Sequence, residues 1–407
     1  MTASMETPAT GASPATPAIE GTQPKGTSRL LFVDDIRVFL TILVLLHHLM
    51  IIYAGTGNWF YTEGMQEASK AMQSDVTDGL GGWFCAVNQA YFMGLFLLIS
   101  AYFVPGSYDR KGAGRFLKDR LIRLGIPLAL YSWVINPAFV YVIFYRSIDK
   151  PFWRYFPADY FRGGVIGQGP LWFIEVLLIF SLVYVLYRLL VRSHPANPTE
   201  ETRFPSNRAI VLFAVLLGLA GFLVRVVFVI DEYNFKPLNL QFPFFAQYIA
   251  LFVVGLIAYR RNWLTELPDK TGRLWLRIAI LMIILWAPMM VVNGAINDDN
   301  SFKGGLNWQS LAYAFWESFL CISMCIGLVY LFRRYRNRRG KIAAFLVPNA
   351  YAAYLIHAVV ITALAFAFQD IALYPILKWL IVALVAVPLC FGISALIRKL
   401  PYTDRVL

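Results

Sequence analysis

Apolar residues run along this chain in blocks of about twenty, separated by short segments that gather most of the charge. A block of that length crosses the hydrocarbon core of a bilayer as an α-helix, since roughly 20 residues rising ~1.5 Å each cover ~30 Å. The pattern predicts such helices near 31–54, 82–104, 122–145, 170–191, 209–230, 242–259, 274–292, 310–332, 344–368 and 372–397. The sixth is short, and little beyond Gln369–Asp370 separates the last two. The expected fold class is all-α, a polytopic membrane protein of about ten transmembrane helices.

Composition points the same way. The chain is 58% hydrophobic and only 15% charged, whereas a soluble domain carries about 25% charged residues. Its formal net charge of +12 raises the question of nucleic acid. The basic residues are spread over short connections and form no separate basic domain, so no nucleic-acid partner is expected. Most of the 36 lysines and arginines fall in alternate connections: Arg110–Arg120, Arg192–Arg208, Arg260–Arg273, Arg333–Lys341 and the two ends of the chain. The positive-inside rule then puts both termini in the cytoplasm, and an error of one span would have scrambled the alternation.

Residues 1–28 are rich in Ala, Thr, Pro, Gly and Ser and read as a disordered cytoplasmic tail. They lack the charged start, short apolar core and small-residue cleavage site of a signal peptide. Residues 29–407 read as one transmembrane domain. The connections 55–81, 146–169 and 293–309 on the outer side are long and rich in Gly, Asn, Trp and Tyr. They could cap a site on that face or simply be solvated. All four cysteines sit in apolar stretches and read as small core fillers. No metal site is implied.

Ionisable side chains inside an apolar span are costly and by default mark function. The first span carries Asp34, Arg37, His47 and His48. Arg37 and His48 are eleven residues apart, about three turns, so they share a face ~16 Å apart along the axis. The ninth span carries Tyr351, Tyr354 and His357, with His357 at a depth matching His48. One such histidine could be purely structural; two at one depth, with an arginine on the face of one, favour function. Arg120 and Arg123 open the third span on one face, either as a topology anchor or as a bidentate clamp for phosphate. Glu175 and Arg225, both near the outer side, could form a structural pair.

These residues resemble the acyltransferase 3 family of integral membrane acyltransferases. VDDIRVFLTILVLLHHLMIIY is similar to that family's opening helix, with its Asp-x-x-Arg start and Arg-x10-His spacing; Asp34, Arg37 and His48 fit these positions and His47 does not. FMGLFLLISAYFVPGS resembles its second helix, Arg120 and Arg123 its Arg-x-x-Arg, GPLWF its fourth-helix motif, and NAYAAYLIH its final one. Each motif alone is weak, but five in order are specific. The glucan succinyltransferase-like branch looks most similar, although Glu175 departs from what that branch suggests.

The resemblance implies an acyl-CoA-dependent enzyme. It would move an acetyl, succinyl or similar group from cytoplasmic acetyl-CoA or succinyl-CoA to a hydroxyl of a glycan or lipid acceptor at the outer face. A bacterial inner membrane is the implied setting, with membrane lipids as neighbours. Arg37, Arg120 and Arg123 would bind the phosphates of the donor. His48 would be the general base, Asp34 would hold Arg37, and His357 and Tyr354 would orient the acceptor or stabilise the oxyanion. Both direct attack on the thioester and a covalent acyl-enzyme fit, with direct attack favoured because no serine or cysteine stands out as nucleophile. A glycan or lipid transporter without acyl chemistry is the rival reading, and the lack of an internal repeat counts against it.

Overall fold

The computed structural model describes residues 30–54, 57, 59–63, 75–145, 151–156, 160, 167–191, 203–232, 238–297, 299–336 and 340–407. The tail assigned to 1–28 lies outside them. Among the described residues ten helices are long and apolar enough to cross a membrane: α1 (Leu31–Ala54), α2 (Val76–Tyr102), α3 (Val104–Ile143), α4 (Gly169–Val191), α5 (Asn207–Val227), α6 (Phe242–Arg260), α7 (Asp269–Val292), α8 (Trp308–Tyr335), α9 (Lys341–Ala367) and α10 (Pro375–Ile397). Every longer regular element among the described residues is helical, as the block pattern predicts.

Burial sorts these helices into an inner and an outer set. In α1 and α8 67% of the most apolar window is buried, and in α2 72%, against 17% in α7 and 28% in α3. The inner helix α1 packs against α2, α8, α9 and α10. The outer helices keep apolar stripes such as Leu212, Leu216, Leu219 and Leu223 on α5, exposed in the bare protein and suited to acyl chains. Where helices cross closely, a small residue permits it. A Cβ on Gly255 of α6 would collide with the backbone carbonyl of Leu98 on α2.

Two expected boundaries shift, each for a local reason. The second span begins at Asp75 rather than near 82, and it breaks at Ala90–Tyr91 before resuming at Phe92. The break frees a backbone carbonyl inside the protein, and Gln247 Nε2 on α6 donates to Ala90 O at 2.8 Å. The connection from Val104 to Arg120, expected as a loop, is helical and runs straight into the third span, with a kink at Gly112 (φ 72°). Beyond it α3 widens at Leu121–Gly125 and Tyr131–Ile135, each just before a proline, Pro127 and Pro137. Pro127 has no N–H to give the carbonyl of Arg123. The hydroxyl of Tyr351 on α9 donates there instead, at 2.5 Å.

Candidate functional site

α1 and α9 lie side by side, and they bring the two depth-matched histidines into contact. His357 Nε2 is 3.0 Å from His48 Nδ1. His357 Nδ1 is 2.5 Å from the backbone carbonyl of Tyr354. A carbonyl oxygen only accepts, so in the neutral ring Nδ1 of His357 carries the proton and Nε2 carries the lone pair. Nδ1 of His48 must then donate to that lone pair. The second nitrogen of His48, Nε2, is left as the acceptor of the ring. This tautomer chain is inferred from the carbonyl.

His48 lines a cavity of about 1090 Å³ together with His47, Trp59, Cys85, Trp172 and Asp299, among others. Aromatic faces and polar tips mix on its wall, with Asn239, Gln241 and Lys303 contributing from the connections. Asp299 sits in a tight turn where the hydroxyl and the N–H of Ser301 both donate to its Oδ1, at 2.5 and 2.8 Å. Those two bonds hold its carboxyl below the ordinary aspartate range, so it presents a negative charge at the cavity. His47 also reaches this wall. Its ring packs on Phe92 with centroids 4.9 Å apart, and its buried Nδ1 has no hydrogen-bond partner among the described residues.

Arginine gathers at the opposite end of the helices. Arg37 lies one turn beyond Asp34, with Nη1 3.7 Å from Oδ1, and its guanidinium covers the ring of Phe103 at 4.7 Å. Arg120 covers Phe116 at 5.0 Å, and the charges of Arg123 and Arg37 both act on it. α1 and α3 thus place three guanidiniums in one neighbourhood. On the helical face between Arg37 and His48 lie Thr41 and Val44, spaced four, three and four residues along the chain.

Tyr354 is also at the site, with its hydroxyl donating to the carbonyl of Pro170 at 2.5 Å. Two sequence motifs, GPLWF on α4 and NAYAAYLIH on α9, are joined by that bond. The Glu175–Arg225 pairing does not form. Arg225 reaches Glu317 on α8 at 2.5 Å, and Glu175 accepts from Gln168 Nε2 at 2.8 Å. Apolar spacing gives depth along a helix but not which neighbour a face meets, and α5 packs on α8.

Four residues of the neighbourhood were not among those singled out from the sequence. Trp59 stacks on His48, with ring centroids 4.3 Å apart and planes 25° apart, and donates from Nε1 to Thr362 Oγ1 at 2.9 Å. Glu63 and Lys378 form a buried ion pair behind it. A lysine in the middle of an apolar run was the one visible signal for this group.

No solved structure matches the chain. The chain is 23% identical over 298 residues to a phosphatidylglycerol lysyltransferase of Staphylococcus xylosus, an alignment that takes in 62% of this chain and 35% of that protein. It spans about a third of that relative's length. A family profile described as an acyltransferase domain matches residues 30–395, from the start of α1 almost to the end of α10, and by that match the chain belongs to the acyltransferase 3 family.

Proposed function

We propose that this membrane acyltransferase moves an acyl group, acetyl or succinyl, from acyl-CoA held at the arginine-rich end to a hydroxyl of a glycan or lipid in the opposite cavity. The positive-inside distribution of Lys and Arg supports a cytoplasmic arginine end and an outward-facing cavity, in a bacterial inner membrane. Guanidinium forks suit the several phosphates of coenzyme A. Arg37 and His48 lie on one face of α1 about three turns apart, and the pantetheine arm would bridge that distance toward His48.

In the chemical step Nε2 of His48 accepts the proton of the acceptor hydroxyl. The hydroxyl oxygen attacks the thioester carbonyl, the new C–O bond forms, and the C–S bond breaks. The coenzyme A sulfur leaves and recovers the proton from His48. General-base catalysis of this kind contributes about 10²–10⁴-fold. The observation that carries the proposal is the bond between His357 Nε2 and His48 Nδ1, which leaves one basic nitrogen on His48. Asp34 steadies Arg37, while Tyr354 and His357 hold the geometry in which the acceptor and the oxyanion are met.

The test is transfer of radiolabel from acetyl-CoA or succinyl-CoA by purified protein in lipid, offered glycan extracts and, in view of the relative's name, phosphatidylglycerol. Label should enter an acceptor with wild type and fail to with His48→Ala. Transfer surviving that change would sink the general-base role. No coenzyme A binding and no label from either donor would favour a transporter.

A further inference from the structure

Between α1 and α2, residues 59–63 pack into the protein, with Tyr61 and Glu63 buried. Gly57 takes a backbone conformation with φ 100° that L residues rarely adopt, and its Cα side faces Ile51 of α1. Three anchors then fix the segment. Trp59 Nε1 donates to Thr362 on α9. The ring of Tyr61 packs on Phe366 of α9 with centroids 4.6 Å apart, and its hydroxyl donates to Glu63 Oε2 at 3.1 Å. Glu63 Oε1 accepts from Lys378 on α10, whose ammonium also faces the Gln369 carbonyl and the ring of Tyr53.

Both partners of that ion pair are almost wholly withdrawn from solvent, at 3% and 1% side-chain exposure. Desolvating two charges is expensive, and their attraction roughly offsets the cost only when the geometry is held tightly. Such a pair contributes little net stability, but here it ties residue 63 to α10. Here it positions residues 59–63, and among the described residues of this connection Trp59 is the one that packs on the histidine pair.

We propose that Trp59 is a positioning residue for His48, and that the buried Glu63–Lys378 pair serves to hold it there. The imidazole of His48 has two rotations to restrain. The bond to His357 restrains its edge, and the indole across its face restrains its tilt. Both restraints are registered to α9, since Thr362 lies five residues beyond His357. An indole face also attracts the imidazolium that forms when His48 takes a proton. The link to catalysis rests on His48 being the base; the covering of its ring by Trp59 does not.

The experiment compares Trp59→Ala, Trp59→Phe, the charge-free double variant Glu63→Gln with Lys378→Met, and wild type in lipid. Diethyl pyrocarbonate modification of His48, followed by peptide mass spectrometry, reads the covering of the ring without any turnover. Turnover number, acceptor KM and acyl-CoA affinity read the reaction. Removing the indole or its anchor should speed modification of His48 and lower the turnover number about 10- to 100-fold. Acyl-CoA affinity should stay unchanged, and Trp59→Phe, which keeps a ring but loses the bond to Thr362, should fall between. A modification rate in Trp59→Ala equal to that of wild type would overturn the proposal. So would faster modification with an unchanged turnover number. Transfer retained by His48→Ala would sink the base reading itself, and it is read separately from the modification rates.

Discussion

The hydroxyl of Tyr351 donates to the backbone carbonyl of Arg123 at 2.5 Å, supplying the bond that Pro127, four residues on, has no N–H to make. This contact ties α9, which carries His357, to the arginine end of α3. Replacing Tyr351 by Phe leaves that carbonyl without its side-chain donor and loosens the backbone that carries Arg123. One hydrogen bond contributes about 0.5–1.5 kcal/mol, so the KM for acyl-CoA should rise roughly 2- to 12-fold with the turnover number little changed. Steady-state kinetics against acyl-CoA check it, and a fall in turnover number at unchanged KM would contradict it.

The arginines themselves should show a larger and more selective effect. Arg120 and Arg123 act on one another's charge, with Arg37 close by and Asp119 only partly offsetting them, so a phosphate would relieve the remaining repulsion. Charge-assisted hydrogen bonds to phosphate contribute about 1.5–3 kcal/mol each, so Arg123→Ala should weaken acyl-CoA binding roughly 10- to 150-fold. Arg123→Lys should recover only part of this, because an ammonium lacks the planar fork. Calorimetric titration with acyl-CoA measures both, and equal affinities for wild type and Arg123→Ala would remove the clamp from this position.

His357 should matter through His48. If His357 fixes the tautomer of His48, then His357→Ala lowers the turnover number, by less than His48→Ala does. The double variant should be no worse than His48→Ala alone, because the two side chains act as one unit. Acyl-CoA affinity should hold in all three. A double variant whose losses multiply would mean that His357 acts on the substrate independently.

Much of this is legible in the sequence. The ten apolar blocks fix the spans, because nothing else in the chain satisfies backbone groups across a bilayer. Asp34, Arg37, His48, Arg120, Arg123 and His357 stand out because each is polar where apolar side chains are expected. Helical spacing even matches the depths of His48 and His357, which meet at 3.0 Å. What spacing cannot carry is azimuth and the return of a connection into the interior. Arg225 therefore pairs with Glu317 rather than Glu175. Trp59, in a Gly- and Asn-containing connection, looks from the sequence like one more aromatic at the membrane surface. Lys378 is visible as an anomaly, but its partner lies 315 positions away in the chain.

The Arg225–Glu317 pair is itself open to a stability test. It is buried to 1% and 7% side-chain exposure, and the guanidinium also donates from Nε to the Pro243 carbonyl. Removing one partner strands a charge, so Glu317→Ala should destabilise the protein by about 3–5 kcal/mol. Arg225→Met combined with Glu317→Leu should come back most of the way toward wild type, as charge-free packing replaces the pair. Denaturant unfolding in detergent distinguishes them. A double variant as unstable as Glu317→Ala would assign the arginine a role beyond pairing.

Cys85 gives the sharpest choice between direct transfer and an acyl-enzyme. Its apolar surroundings in the sequence suggest a core filler, yet it is only partly buried and lines the same cavity as His47 and His48. A covalent intermediate requires a thiol that a base can reach, and Cys85 faces the same cavity as His48. Direct attack by the acceptor needs no thiol, so Cys85→Ser should keep the turnover number within about twofold, the small change usual for a substitution away from strained or unpaired groups. Wild type quenched during turnover and digested should carry no added acyl mass on the Cys85 peptide. An acyl adduct there, together with loss of transfer in Cys85→Ser, would replace the one-step mechanism by a two-step one. His48 would then serve twice as base, first for the thiol and then for the acceptor hydroxyl.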